Sequence, residues 1–252
     1  MEQRNFESFT GRAAAYAAGR PSYAPRLFKW LEKELGSLKG LSVADIGSGT
    51  GIFSRQLLQQ GCQVFAVEPN HEMRAIAEQD LSRHYNFTSL KGSDAATGLA
   101  NQSVSLVSAT QAFHWFNPAA FRQECQRILK PGGSVLLVWN WKVHSSLVQK
   151  TYNTVLRQYC PGYKGSSGGG ISEDQIINFF SSNPQFKQFK NDLRYNLEQF
   201  LTAVASASYA LKPDHPGYTA FINSLMEVFK QHQRKGILTI PNKTVAYLGK
   251  PY

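Results

Sequence analysis

From Leu41 onward the chain alternates short apolar runs with stretches whose apolar residues recur at helical spacing, the pattern of strand-helix units around a parallel sheet. That pattern predicts strands at residues 42–46, 63–67, 86–91, 104–109 and 134–141, with helices at 51–60, 72–84 and 118–129 between them. Lys130-Pro131-Gly132-Gly133 closes the last helix, because proline cannot continue it and glycine permits a tight turn. The first forty residues read as one or two amphipathic helices broken at Arg20-Pro21, since a residue before proline avoids helical backbone.

After Trp141 the pattern changes. Helices are expected at 145–159, 173–182, 197–210 and 218–233, with strands at 186–195 and 244–248. The loop at 161–170 contains five glycines and two serines, so ordering it is costly; it is either a passive linker or a lid that closes over a ligand. The expectation is one domain over residues 1–252: a helical segment (1–40), a ligand-binding core (41–141), and a helical cap with the final strands (142–252). Its fold class is α/β, a Rossmann-like seven-stranded, mostly parallel sheet with helices on both faces and the cap over the edge where ligands bind.

Composition narrows the class of protein. With 42% hydrophobic and 17% charged residues the chain can bury a core. It has no apolar run of about 18 residues, and its polar start is unlike a signal peptide, so a cytoplasmic protein with no membrane partner is expected. Cys62, Cys125 and Cys160 are widely spaced and form no CxxC pair; they are expected to be reduced and buried, with no metal site. Of the net charge of +10, +7 falls after residue 141, but the cations there are scattered. They form either a solvated basic surface or a field that attracts an anion.

The candidate chemistry starts at Asp45-Ile46-Gly47-Ser48-Gly49-Thr50-Gly51, a glycine-rich turn after the first strand, where bare backbone lets a ligand approach a helix N-terminus. The spacing is GxGxG; the dinucleotide fingerprint would need glycine where Ile52 stands. The second strand ends in Glu68, seventeen residues after Gly51. A carboxylate there can accept both hydroxyls of a ribose; alone it would be a solvated strand-end charge.

With these residues the chain resembles the class I S-adenosylmethionine-dependent methyltransferases of the small-molecule type, the type 11 or trans-aconitate methyltransferase-like group. The likeness is carried by Phe9-Thr10-Gly11-Arg12-Ala13 with Tyr16, Arg20-Pro21-Ser22-Tyr23, the stretch 43–51, Val67-Glu68-Pro69-Asn70, Gln111-Ala112-Phe113-His114-Trp115-Phe116, Ile128-Leu129-Lys130-Pro131-Gly132-Gly133 and Ser206-Ala207-Ser208-Tyr209. It implies that S-adenosylmethionine is the cofactor, that Asp45 and Gly47, Ser48, Gly49 and Gly51 face its methionine part, and that Glu68, followed by Pro69, holds the ribose. Ser93-Asp94-Ala95 would meet the adenine, with either Ser93 or Asp94 as the polar contact, and Gln111 would border the cofactor. Ser105 departs from the family, which usually has aspartate there, and this puts cofactor affinity in question.

Residues 111–116 follow the fourth strand, where acceptor and cofactor meet in this fold. Methyl transfer is an in-line displacement, so alignment and exclusion of water carry most of the catalysis. Phe113, Trp115, Phe116, Trp139 and Trp141 are either an aromatic wall for the sulfonium or plain core. His114 is the side chain there that titrates near neutral pH, so it either takes a proton from the acceptor or only hydrogen-bonds its surroundings. The expected function is methylation of a small molecule, with an anionic one in view. Nucleic-acid methylation is disfavoured, because no Asn/Asp-Pro-Pro-aromatic segment follows the fourth strand. A non-catalytic adenosine-ligand binder is the alternative from another class.

Overall fold

The computed structural model describes residues 19–163, 165, 171–207 and 209–251. Nine strands and eight helices of at least five residues are formed among them. α1 (Pro25–Leu35) precedes β1 (Ser42–Ile46), α2 (Ile52–Gln59), β2 (Gln63–Val67), α3 (His71–Leu81), β3 (Phe87–Leu90) and β4 (Val104–Thr110). α4 (Pro118–Ile128) then leads into β5 (Leu129–Lys142). Beyond lie α5 (Leu147–Tyr159), α6 (Glu173–Ile177), β6 (Gln185–Lys190), β7 (Leu193–Tyr195), α7 (Leu197–Ala205), α8 (Tyr218–His232), β8 (Leu238–Ile240) and β9 (Asn242–Gly249).

Seven strands form one sheet in the order β3-β2-β1-β4-β5-β9-β6. β1 to β5 run parallel, and β9 runs antiparallel to both β5 and β6. All five residues of β1 are buried, as a central strand covered on both faces requires. One apolar cluster, with Trp139, Tyr247, Phe121 and Phe179, packs one face of the sheet; α1 and α2, through Leu27, Phe28, Phe53 and Leu57, cover the other. A third cluster, built from α5, α7, α8 and the β7–β8 pair, is the core of the cap.

The α/β expectation therefore holds for the main sheet, and the differences lie in the cap. The strand expected at 186–195 is two: β6 joins the edge of the main sheet, whereas β7 pairs with β8 in a small separate sheet. Asn191 sits at the break, donating its Nδ2 to the carbonyl of Ser22 at 2.9 Å and to Oδ1 of Asn140 at 3.1 Å. β8, three residues long, carries too little alternation to be read from sequence. The helix expected at 173–182 stops at Ile177, and that at 197–210 stops at Ala205. α4 stops at Ile128, but Lys130-Pro131-Gly132-Gly133, expected as a tight turn, lies inside β5, which starts at Leu129 and not at 134; Leu129 already pairs with Val104, and the β4–β5 register shifts between Val104 and Leu106. Residues 1–18, with the Phe9-Thr10-Gly11-Arg12-Ala13 and Tyr16 motif, lie outside the described residues, as do Ser208, Lys164 and residues 166–170 of the linker-or-lid loop.

A polar knot fastens the N-terminal segment to the sheet. Asn140 on β5 accepts at Oδ1 from Thr244 Oγ1 (2.8 Å), Asn191 Nδ2 and Asn242 Nδ2 (3.3 Å), and donates from Nδ2 to the Ser22 carbonyl at 3.2 Å. Thr244 in turn accepts from the Ala24 backbone at 2.9 Å. Removing the amide leaves the buried Thr244 hydroxyl without its acceptor and takes one hydrogen bond each from Asn191, Asn242 and the Ser22 carbonyl, which costs about 1–3 kcal/mol. Asn140→Ala is therefore expected to lower unfolding free energy by about that amount in urea titration; an unchanged midpoint would show that the knot is dispensable.

Candidate functional site

The C-terminal ends of β1, β2 and β4 open onto one cleft of about 800 Å³, counted to its open mouth. Open α/β sheets bind ligands at this edge, where connections leave β1 and β4 toward opposite sides. The floor is the turn after β1. Gly47, Gly49 and Gly51 all have left-handed backbone, with φ of 67°, 57° and 79°. At Gly51 a Cβ would come within 2.7 Å of Leu81 on α3, so this glycine also permits helix packing. Above Gly49 the nearest atom to such a Cβ is the Met73 sulfur at 3.6 Å, which leaves the turn open toward the cleft.

Glu68 forms the wall. Its Oε2 accepts from the Gly49 N–H at 2.8 Å and its Oε1 from the Asn70 N–H at 2.9 Å, which locks the carboxylate between the glycine turn and the start of α3. Burial raises its pKa, opposed first by these two backbone bonds. A carboxylate has about four acceptor sites, so two remain for a ligand. Pro69 and Asn70 continue this wall, and Asn70 also caps α3 by accepting from the Met73 N–H at 3.1 Å. Ser48 Oγ and Thr50 Oγ1 are buried, line the cleft, and have no hydrogen-bond partner among the described residues. Buried hydroxyls of this kind suit a ligand that supplies polar atoms.

The other expected residues divide. Asp94 lines the cleft and accepts from the Asn117 N–H at 3.1 Å, whereas Ser93 and Ala95 do not line it; the Ser93 N–H is taken by the Ala96 carbonyl. Gln111 lines the cleft with a left-handed φ of 53°, its Nε2 donating to the Asn140 carbonyl at 3.2 Å. Asp45 is turned away into the protein, where it accepts from Ser54 Oγ at 2.7 Å and Ser108 Oγ at 2.8 Å. Its side chain braces the turn from behind and does not line the cleft. Ser105 lies near the opposite end of the sheet, accepting or donating in a contact with Ser42 Oγ at 3.2 Å, so the departure there bears on the sheet and not on the cleft.

The aromatic group divides in the same way. Trp115 and Phe116 line the cleft, while Phe113 and Trp139 are core, Phe113 packing 4.9 Å from the Phe179 ring. Trp141 packs against the same core half-buried. His114 does not line the cleft; its Nδ1 is buried without a hydrogen-bond partner, and burial, with Arg20 nearby, pushes its pKa down to about 4. Tyr23, Ile52, Met73 and Thr110 also line the cleft, and sequence reasoning gave them no role. For Tyr23 the signal was its place in the Arg20-Pro21-Ser22-Tyr23 motif; Met73 and Thr110 carry none, because only chain folding brings them to the edge.

Cys62, Cys125 and Cys160 are all free and buried, with the Cys62 thiol pushed up to about 11 by burial. Among the described residues no group of three or more His, Cys, Asp or Glu could hold a metal ion, and no helix is long and apolar enough to cross a membrane.

The sheet around the cleft is thus mostly parallel and seven-stranded with one reversed strand, with a glycine turn after β1 and an acid just beyond β2. Residues 44–137 match the family model described as a methyltransferase domain. An uncharacterized methyltransferase of Mycobacterium tuberculosis is 37% identical over 133 residues, covering 53% of this chain and 52% of that protein. A ubiquinone biosynthesis O-methyltransferase of Acinetobacter baylyi is 27% identical over 115 residues, covering 44% and 48%. The chain thus spans about half the length of the curated relatives it matches. Among solved structures, a candidate type II methyltransferase from Anaeromyxobacter dehalogenans shares the fold with a TM-score of 0.66 at 21% identity, over 92% of this chain and 97% of that one. Residues 44–137 thus match a methyltransferase domain, and the chain shares its fold with a solved methyltransferase structure.

Two buried titrating groups beside the cleft give opposite pH dependences. Burial pushes Asp45 up to about 6, so between about pH 4 and 6 the native state holds a proton that the unfolded chain releases, and this contribution to stability falls as pH rises. His114 is pushed down to about 4, so between there and its ordinary 6.5 the unfolded chain holds the extra proton, and stability rises with pH. Urea unfolding from pH 4.5 to 6.5 should therefore show a steeper rise for Asp45→Asn and a shallower one for His114→Gln, each by less than about one proton. Parallel profiles for all three proteins would refute these assignments.

Proposed function

We propose that the chain is a methyltransferase that moves the methyl group of S-adenosylmethionine to a small-molecule acceptor, with an anionic acceptor preferred. The observation that carries this reading is the locked Glu68 carboxylate, buried at the cleft with acceptor sites to spare beside a turn of three left-handed glycines. The residues present fit the cofactor. Glu68 would accept the ribose hydroxyls, the Gly47–Gly49 backbone with the orphaned Ser48 and Thr50 hydroxyls would meet the methionine part, and Asp94 would take the adenine amine.

When bound, the sulfonium supplies an electrophilic methyl carbon; the acceptor's lone pair forms the new bond while the breaking S–C pair returns to sulfur, leaving S-adenosylhomocysteine. The protein's part is alignment and shelter. Trp115, Phe116 and Tyr23 exclude water from the cleft, and Gln111, held by Asn140, fixes its acceptor side. His114 stays neutral at pH 7 and is a weak base, which suits orienting an acceptor's hydrogen more than removing it. We place the protein in the cytoplasm. A nucleic-acid substrate is disfavoured by the scattered cations after residue 141.

Calorimetric titration tests this reading. S-adenosylhomocysteine should bind and NAD should not, and Glu68→Ala should weaken binding by about 1.5–3 kcal/mol, as expected for lost hydrogen bonds to a charged acceptor. Wild-type affinity in that variant would reduce Glu68 to a brace for the turn. A non-catalytic binder would hold S-adenosylmethionine yet release no S-adenosylhomocysteine when offered pooled metabolites.

A further inference from the structure

The charged side chains that line the cleft are the acids Glu68 and Asp94, and its rings are those of Tyr23, Phe53, Trp115 and Phe116. Among the described residues no lysine, arginine or histidine lines it. Arg74, a cation near Glu68, donates to the Glu68 and Pro69 carbonyls at 2.9 and 3.4 Å and is not part of the lining. Carboxylates and aromatic faces both attract a positive centre, and exclusion of water strengthens that attraction.

Two of the rings come from the turn after β4, which fixes their backbone: the Trp115 N–H donates to the Ala112 carbonyl at 2.8 Å and the Phe116 N–H to the Phe113 carbonyl at 3.1 Å. Phe116 is held from behind by the buried rings of Phe121 and Phe113, whose centres lie 4.9 and 6.4 Å from its own. In front it closes on the glycine turn, where a Cβ at Gly47 would stand 3.2 Å from its Cζ. The ring therefore borders the backbone proposed to meet the methionine part of the cofactor. Trp115 beside it is 38% exposed, the one large apolar side chain lining the cleft that the described fold leaves in water. An indole left open in a cleft forfeits burial that a ligand restores. Asp94 brings its carboxylate to the same stretch, accepting from the Asn117 N–H at 3.1 Å.

We infer that Trp115 and Phe116 form an aromatic seat for the positive centre of the methyl donor, so that the cleft holds charged S-adenosylmethionine more tightly than neutral S-adenosylhomocysteine. The inference rests on the methyl-transfer reading. Transfer removes the sulfonium charge, so the seat loosens its hold once the product has formed, and this favours product release. The competing role is a pair of rings that only exclude water, which would hold charged and neutral ligands alike.

The test is calorimetric titration of the full chain at pH 7 with S-adenosylmethionine, with sinefungin, which carries an ammonium group in place of the methylsulfonium, and with S-adenosylhomocysteine. The wild type should bind the two charged probes at least about fivefold more tightly than the neutral one. Trp115→Leu, which keeps apolar bulk but has no aromatic face, should bring that ratio down at least about threefold while leaving S-adenosylhomocysteine affinity unchanged, and Trp115→Phe should restore most of it. Phe116→Leu should act in the same direction and gives a second, independent variant should Trp115→Leu unfold. Equal binding of all three probes by the wild type, or an unchanged ratio in both leucine variants, would overturn the seat and leave the methyl-transfer reading standing. Binding of none of the three would defeat that reading, and the seat with it.

Discussion

The cleft depends on one buried carboxylate that never faces it. Asp45 lies next to the end of the central strand, and its two oxygens accept from Ser54 on α2 and Ser108 on β4, so a single side chain fixes the relative position of three elements. Burial opposes its charge strongly enough to push its pKa up to about 6, and the two serine hydroxyls offset only part of that cost. The next residues are the glycine turn, whose left-handed backbone depends on the strand and helix on either side being held in place. Glu68 then clasps the turn from β2 through the Gly49 N–H. Two acids thus grip the same loop, one from behind and one from the ligand side.

A second constraint orients the edge beyond β4. Asn140 joins β5 to β9, to the β6–β7 break and to the N-terminal segment, while its own carbonyl holds Gln111. The segment so fastened contributes Tyr23 to the cleft. The cleft also carries the acids Glu68 and Asp94, suited to hydroxyl and amine donors.

The sequence by itself determined the core. A buried parallel strand must be almost wholly apolar, and a helix crossing one sheet face must repeat its apolar residues every three to four positions, so β1, β2, β4, α2, α4 and the glycine turn were legible from local pattern. The position of Glu68 at the cleft was legible because it directly follows the second strand, one strand-helix-strand unit after the glycine turn. The cap was not. β7 and β8 are three residues each and pair across more than forty residues of chain, and the break between β6 and β7 is set by Asn191 reaching partners far away in sequence. Only the tertiary structure decided which way each side chain turned: Asp45 inward, Asp94 and not Ser93 toward the cleft, Trp115 and Phe116 onto its wall while Phe113 entered the core. Local pattern reports which residues must be buried, whereas the neighbours that bury them, and the direction a half-buried polar group takes, depend on contacts that sequence spacing does not encode.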